Sequence, residues 1–166
     1  MGIEIERKFL IANDSWRHGA VGVPYAQGYL SRGTGRTVRV RIAGEKDFLT
    51  IKGPVIGISR PEFEYPIPVE EARQLLLLCE GPIIEKTRFK VSIEDHLWEI
   101  DEFHGDNTGL VVAEVELRHP EESVVFPSWL GREVTGDSLY YNSNLTIHPY
   151  KEWKSEGEGE EAVLSV

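Results

Sequence analysis

Glu4 and Glu6 stand two residues apart in "EIERKF", with Lys8 two further on. The spacing recurs as Arg39 and Arg41 in "TVRVRI", Glu62 and Glu64 in "PEFEY", Lys86, Arg88 and Lys90 in "EKTRFK", Glu99 and Asp101 in "LWEIDEF", and Glu114 and Glu116 in "VAEVEL". Lys52 shares a face with Phe48 and Thr50 in "FLTIKG". In an extended strand residues i and i+2 point the same way, so each pair sets like charges side by side, where they repel. Either water screens such a pair or an opposite charge sits between its members. For one strand, screening on a solvated sheet face is the ordinary account. For a set of eight acids and seven bases whose sign changes from strand to strand, mutual compensation is the better one. Clustered carboxylates with no His or Cys among them suit hard, oxygen-preferring cations, Mg²⁺ or Mn²⁺, and not zinc. Clustered Arg and Lys match the oxygens of a polyanion, above all linked phosphates. Together they describe a site for a metal and a polyphosphate.

Such faces need strands to carry them. Alternation bounded by Gly, Pro and Asp predicts eight, near 2–10, 26–31, 36–43, 47–53, 60–67, 83–92, 96–104 and 110–118. "AGEKD" and "SIEDH" read as hairpin turns, and "VEEARQLLLLCEG" as a helix over 69–80 ending at a glycine, with "LLLLC" on its core side. Shorter helices are expected after Pro120, around "PSWL", and from Asp137 to about Leu145, with Thr135 or Asp137 as N-cap. If the sheet closes, an eight-stranded antiparallel barrel has room inside for side chains or one small ligand. Mixed charge can pair there around a wet cavity, whereas charge of one sign could not be buried. The expected fold is therefore mainly β (α+β), a closed eight-stranded antiparallel β-barrel with a charged lumen. Its outer faces are apolar and covered by helices.

The chain has 166 residues, 40% of them hydrophobic and 28% charged, enough for one domain with a core. One cysteine, Cys79, excludes an internal disulfide and a thiolate zinc cluster. The formal charge of −10 argues against a non-specific nucleic-acid binder. The acidic start reads as neither signal peptide nor membrane anchor, so a cytoplasmic protein is expected. Domain 1–150 is followed by an acidic stretch, 151–166, expected to be disordered from Trp153 onward.

With these motifs in this order the chain resembles the triphosphate tunnel metalloenzymes, also called CYTH domains after class IV adenylate cyclase and thiamine triphosphatase. Glu4, Glu6 and Lys8 match the family's ExExK. The likeness continues through "QGYL", "VRVR", "TIKG", "PEFEY", "EKTRF", "EID", "AEVEL" and "YYNSNL", over nearly all of residues 1–150. The resemblance implies metal coordination by Glu4, Glu6, Glu114 and Glu116, with Asp101 a further candidate, and Mg²⁺ or Mn²⁺ as the ion. It implies phosphate binding by Arg39, Arg41, Lys52, Lys86 and Arg88, and an acidic lining of Glu62, Glu64 and Glu99. Lys8 is assigned to phosphate, or with Tyr29 to activating the nucleophile. The implied reaction is hydrolysis of tripolyphosphate to pyrophosphate and phosphate by a metal-activated water. Thiamine triphosphate hydrolysis, adenylate cyclisation and plain polyphosphate binding are the alternatives. The absence of HExxH, GxxxxGK[ST] and GxSxG argues against the standard competing machineries.

One departure concerns the C-terminal segment, where small bacterial triphosphatases often carry a basic pair in a "DxRYKN"-like stretch. Here "DSLYYN" has Leu139 and Tyr141, which removes positive charge. The five histidines are too scattered for a metal set, and Trp98 and Phe103 are expected to coat the barrel exterior. An apolar exterior also leaves room for a homodimer.

Overall fold

Alternation of charged and apolar residues produces the strands, and two tight turns fix their register. The computed structural model describes residues 2–33 and 35–156. Its strands are β1 (Gly2–Ile11), β2 (Gly22–Ser31), β3 (Thr37–Ala43), β4 (Lys46–Lys52), β5 (Ser59–Pro66), β6 (Glu80–Ile93), β7 (His96–Phe103), β8 (Val111–Glu116) and β9 (Leu130–Glu133). Pairing of Ala43 with Lys46 leaves Gly44 and Glu45 as a two-residue turn, with Gly44 at φ +63°. Pairing of Ile93 with His96 does the same at Glu94, which takes φ +52° without being glycine. Both expected hairpins are therefore present.

The strands run in the order β5-β4-β3-β2-β6-β7-β8-β1, every neighbour antiparallel, and β1 returns to β5 through Gly2↔Glu62 and Glu4↔Arg60. That last pairing closes the eight-stranded barrel. The short β9, which the sequence reading lacked, adds to β1 through Phe9↔Glu133. Four residues of alternation are too few to declare it alone.

Apolar residues of the outer face, Phe9, Trp98, Ile100, Ala113 and Val115, pack under Trp16 and Trp129 into one core. A second core lies inside. Beyond the charged positions the inward faces turn apolar: Lys8 gives way to Leu10, Lys86 to Ile84, Asp101 to Phe103 and Glu114 to Val112. Tyr140 and Leu145 pack with them and floor the lumen. Trp98 thus coats the exterior as expected, but Phe103 does not. It shares the parity of Glu99 and Asp101 and lies inside, under Lys86 Nζ at 5.5 Å.

Helix α1 (Val69–Leu77) stops three residues short of expectation because β6 already begins at Glu80. It buries Ala72 but leaves Leu77 and Leu78 exposed, so "LLLLC" is only in part a core face. No helix forms after Pro120 or around "PSWL"; Trp129 instead plugs the outer core edge-on to Trp98 at 5.7 Å. Asp137 does cap, accepting from Leu139 N at 3.0 Å, over a single 3-10 turn followed by α2 (Asn142–Leu145). Among the described residues no helix is long and apolar enough to cross a membrane.

The expectation of disorder from Trp153 fails for the described part of that stretch. Helix α3 (Tyr150–Glu156) carries Trp153 edge-on to Tyr140 at 5.2 Å and Tyr150 at 5.0 Å, its Nε1 donating to His148 O at 2.9 Å. One aromatic docked on two others outweighs an acidic composition. Residues 157–166 of the expected tail lie outside the described residues. Trp153→Ala is expected to lower stability by about 2 kcal/mol and the melting temperature by roughly 5 °C, read by thermal denaturation; an unchanged melt would mean that the contact adds nothing.

Candidate active site

The inward positions of all eight barrel strands line a cavity of about 880 Å³. From β1 come Glu4, Glu6 and Lys8; from β3, Arg39 and Arg41; from β4 and β5, Lys52, Glu62 and Glu64. β6 adds Lys86, Arg88 and Lys90, β7 Glu99, and β8 Glu114 and Glu116, with Tyr29 of β2 beside them. The pairs singled out by spacing therefore share one lumen. Asp101 sits just beneath the surface, fully buried.

Cross-strand register decides who meets whom. Arg88 faces Asp101 across β6 and β7 and grips it bidentately, Nε to Oδ1 at 2.7 Å and Nη2 to Oδ2 at 2.8 Å. Lys86 Nζ reaches Asp101 Oδ2 at 2.8 Å. Arg88 also approaches Glu99 at 3.3 Å and Glu114 at 3.4 Å. Lys8, opposite Glu114, lies 3.2 Å from it and donates to Tyr140 O at 3.2 Å. Lys52 bridges Glu4 at 2.9 Å and Glu62 at 3.3 Å. Arg39 donates to Thr50 Oγ1 at 3.3 Å, with Glu64 at 3.8 Å.

These contacts sort the carboxylates into two kinds. Burial would raise the Asp101 carboxyl, but Arg88 and Lys86 overcome it and hold the group well below the usual carboxylate range. Burial is likewise overcome at Glu114, where Lys8 and Arg88 bring it to about 2. Lys52 lowers Glu4 in the same way against burial. Glu6 is the contrast. It has no ion pair among the described residues, and burial with the adjacent Glu114 and Glu4 pushes its carboxyl well above the ordinary range. Burial followed by Glu4, Glu62 and Glu99 raises Glu116 as well.

The cations divide similarly. Arg41 has no carboxylate partner among the described residues and donates Nε to Gln27 Oε1 at 2.8 Å. Burial, Arg39 and Arg88 press it down to about 10. Lys86 is pushed down to about 7 by burial, with Arg88 and Arg41 adding to this against Asp101.

Among the described residues no three His, Cys, Asp or Glu side chains are grouped as a ready metal cage. The donor chemistry nevertheless fits a hard cation: Glu4, Glu6 and Glu114 are oxygen donors that repel one another, and Glu6 is uncompensated. Asp101 presents the opposite picture, since both its oxygens are already taken by Arg88 and Lys86.

Uncharged residues that charge spacing does not reveal complete the site. Gln27 is completely buried, its Nε2 donating to Tyr29 Oη at 3.0 Å and to Asn142 Oδ1 at 3.1 Å. Asn142 Oδ1 also accepts from Lys86 Nζ at 2.8 Å. Their signals were present in "QGYL" and "YYNSNL", yet neutral amides do not stand out against paired charges. Tyr141 reaches the lumen with its ring 5.8 Å from Lys8 Nζ, while Leu139 packs on the apolar floor.

The CYTH domain family matches residues 2–145. An inorganic triphosphatase of Acetivibrio thermocellus is 53% identical over 157 residues, covering 93% of this chain and 99% of that protein. An inorganic triphosphatase of Nitrosomonas europaea is 39% identical over 150 residues, covering 87% of this chain and 97% of that protein. A solved crystal structure of an inorganic triphosphatase is similar with a TM-score of 0.61 at 35% identity, over 86% of this chain and 97% of the other.

Proposed function

The chain belongs to the CYTH-domain family of triphosphate tunnel metalloenzymes, and from that premise we propose that it hydrolyses inorganic tripolyphosphate to pyrophosphate and phosphate. The observation that carries this reading is Arg41, half-buried in the cavity wall beside Arg39 and Arg88 without a carboxylate partner among the described residues. Positive charge crowded into a partly enclosed lumen without a carboxylate is costly unless an anion arrives to share it. Glu6 is its mirror image on the acidic side.

Arg39, Arg41, Lys86 and Arg88 hold phosphate oxygens, and Lys52 does so from the side of Glu4 and Glu62. Burial would lower the Lys8 ammonium, but Glu114 and Glu6 raise it, so Lys8 serves as a cation toward phosphate and not as a base. Asp101 positions Arg88 and Lys86. Glu4, Glu6, Glu114 and Glu116 are the residues that would hold Mg²⁺ or Mn²⁺, which when bound supplies charge neutralisation and polarisation of water and phosphoryl oxygens. Water attacks the terminal phosphorus, the bond to the bridging oxygen breaks, and that oxygen leaves with pyrophosphate while the water's proton passes to lumen carboxylate or product. Ring-bearing substrates gain little from the wall at Tyr25, whose face is already covered by Arg41 at 5.2 Å and Arg88 at 4.9 Å.

A release panel over tripolyphosphate, pyrophosphate, thiamine triphosphate and ATP, each with Mg²⁺, Mn²⁺, Ca²⁺ or chelator, tests the reading. Equal phosphate and pyrophosphate from tripolyphosphate with Mg²⁺ or Mn²⁺ is expected. Cyclic AMP from ATP with no phosphate from tripolyphosphate would overturn it.

A further inference from the structure

Hydrogen-bond chemistry fixes the orientation of two amides at the floor of the lumen. A guanidinium can only donate, so the Gln27 atom facing Arg41 Nε at 2.8 Å is the oxygen. Gln27 therefore turns its amide nitrogen toward Asn142, 3.1 Å away. An amide nitrogen can only donate, so the Asn142 atom that meets Gln27 Nε2 is Oδ1, and the same oxygen accepts from Lys86 Nζ at 2.8 Å. Two donors from separate strands thus hold the Asn142 oxygen. Its Nδ2, with two N–H donors, makes no hydrogen bond among the described residues, and the residue lines the cavity.

The location gives this free donor a meaning. Lys86, which Asn142 holds, stands over Phe103 of the apolar floor, and Ile84, Tyr140 and Leu145 close the lumen behind it. Resting on the triphosphatase reading, we propose that Asn142 contacts the substrate, its Nδ2 group donating to an unesterified terminal phosphoryl group lodged against that floor. A neutral donor adds a hydrogen bond to phosphate without adding to the repulsion among Arg41, Arg88 and Lys86. An apolar floor leaves no exit for an ester substituent at this end. Substrates are therefore chains with at least one free terminal phosphoryl group, and a chain esterified at both ends is rejected.

Two variants separate donation from mere support of Lys86. Asn142→Asp keeps an oxygen for Lys86 and Gln27 but loses the donors, while Asn142→Ala loses both. With tripolyphosphate and Mg²⁺, both are expected to raise KM about tenfold or more while still melting cooperatively. An Asp variant within twofold of wild type would reduce Asn142 to support of Lys86, and an Ala variant within twofold would leave it no part in binding; either overturns the assignment. The unmodified protein supplies an arm independent of folding. ATP is expected to compete with tripolyphosphate and P1,P3-diadenosine triphosphate is not; equal competition by the two would refute the free-end requirement. Failure of the wild type to cleave tripolyphosphate removes the triphosphatase premise and this proposal together, whereas active wild type with indifferent variants removes the role of Asn142 alone.

Discussion

Glu6→Gln is expected to lower Mg²⁺- or Mn²⁺-dependent tripolyphosphate cleavage at least about 100-fold and to raise the melting temperature of the metal-free protein. The two effects share one cause. Burial, Glu114 and Glu4 lift the Glu6 carboxyl well above the ordinary range, so the folded state binds its proton more tightly than the unfolded chain does. Such a group carries no penalty below the unfolded value of about 4.3 and an increasing one as pH rises from there toward the folded value. Glutamine removes that penalty, so the stability gap over wild type should widen with pH in chelator. It also removes the charge that a bound cation would neutralise. Urea titrations at pH 4, 6 and 8 alongside kinetics provide the check. Lost turnover with a flat or inverted stability gap would detach Glu6 from the repulsive cluster, and full turnover would detach it from the metal.

Asp101→Asn should be the most damaging single substitution for stability, on the order of 3–5 kcal/mol. It removes the carboxylate that both Arg88 and Lys86 grip and leaves two buried cations facing one another. The folded carboxyl is depressed below its unfolded value, so its stabilisation is complete above about pH 3.9 and is lost as pH falls toward the folded value. The gap between wild type and variant should persist from pH 8 to about pH 5, widening as pH falls through the Lys86 value of about 7 that Asp101 supports, and narrow only in strong acid. Guanidinium denaturation at pH 7, 5 and 3 reads it. A loss below about 1 kcal/mol at pH 7 would show that Lys86 and Arg88 find other counter-charges. Because phosphate also compensates these cations, tripolyphosphate should stabilise the variant more than wild type.

Much of the barrel was legible because its signal is local. A period of two assigns every residue of a strand to one of two faces, so the inward set from Glu4 to Glu116 could be collected without knowing which strands are neighbours. Tyr29 was collected through its motif, and the same motif held Gln27, passed over because an uncharged amide produces no conflict that demands explanation. Phe103 differs from its expectation for a related reason: apolar character alone does not mark an outward face, and parity with Asp101 puts the ring inside. Helices were less legible. The "PSWL" and post-Pro120 stretches are too short for periodicity to speak, and Trp153 was discounted because the acids around it outnumber it.

By itself the sequence determined which side chains share a face, that their charges nearly cancel, and hence that a closed sheet with a polar interior could tolerate them. Only the tertiary structure decided the pairing. Lys52 meets Glu4 across 48 residues because β1 closes onto β5, and Asp101 is taken by Arg88 and Lys86 because β6 and β7 align in one register. Compensation at a few ångströms depends on position in space, which strand order and register set. That leaves Glu6 and Arg41 each without an opposite charge as partner among the described residues, although nothing in their spacing distinguishes them from the others.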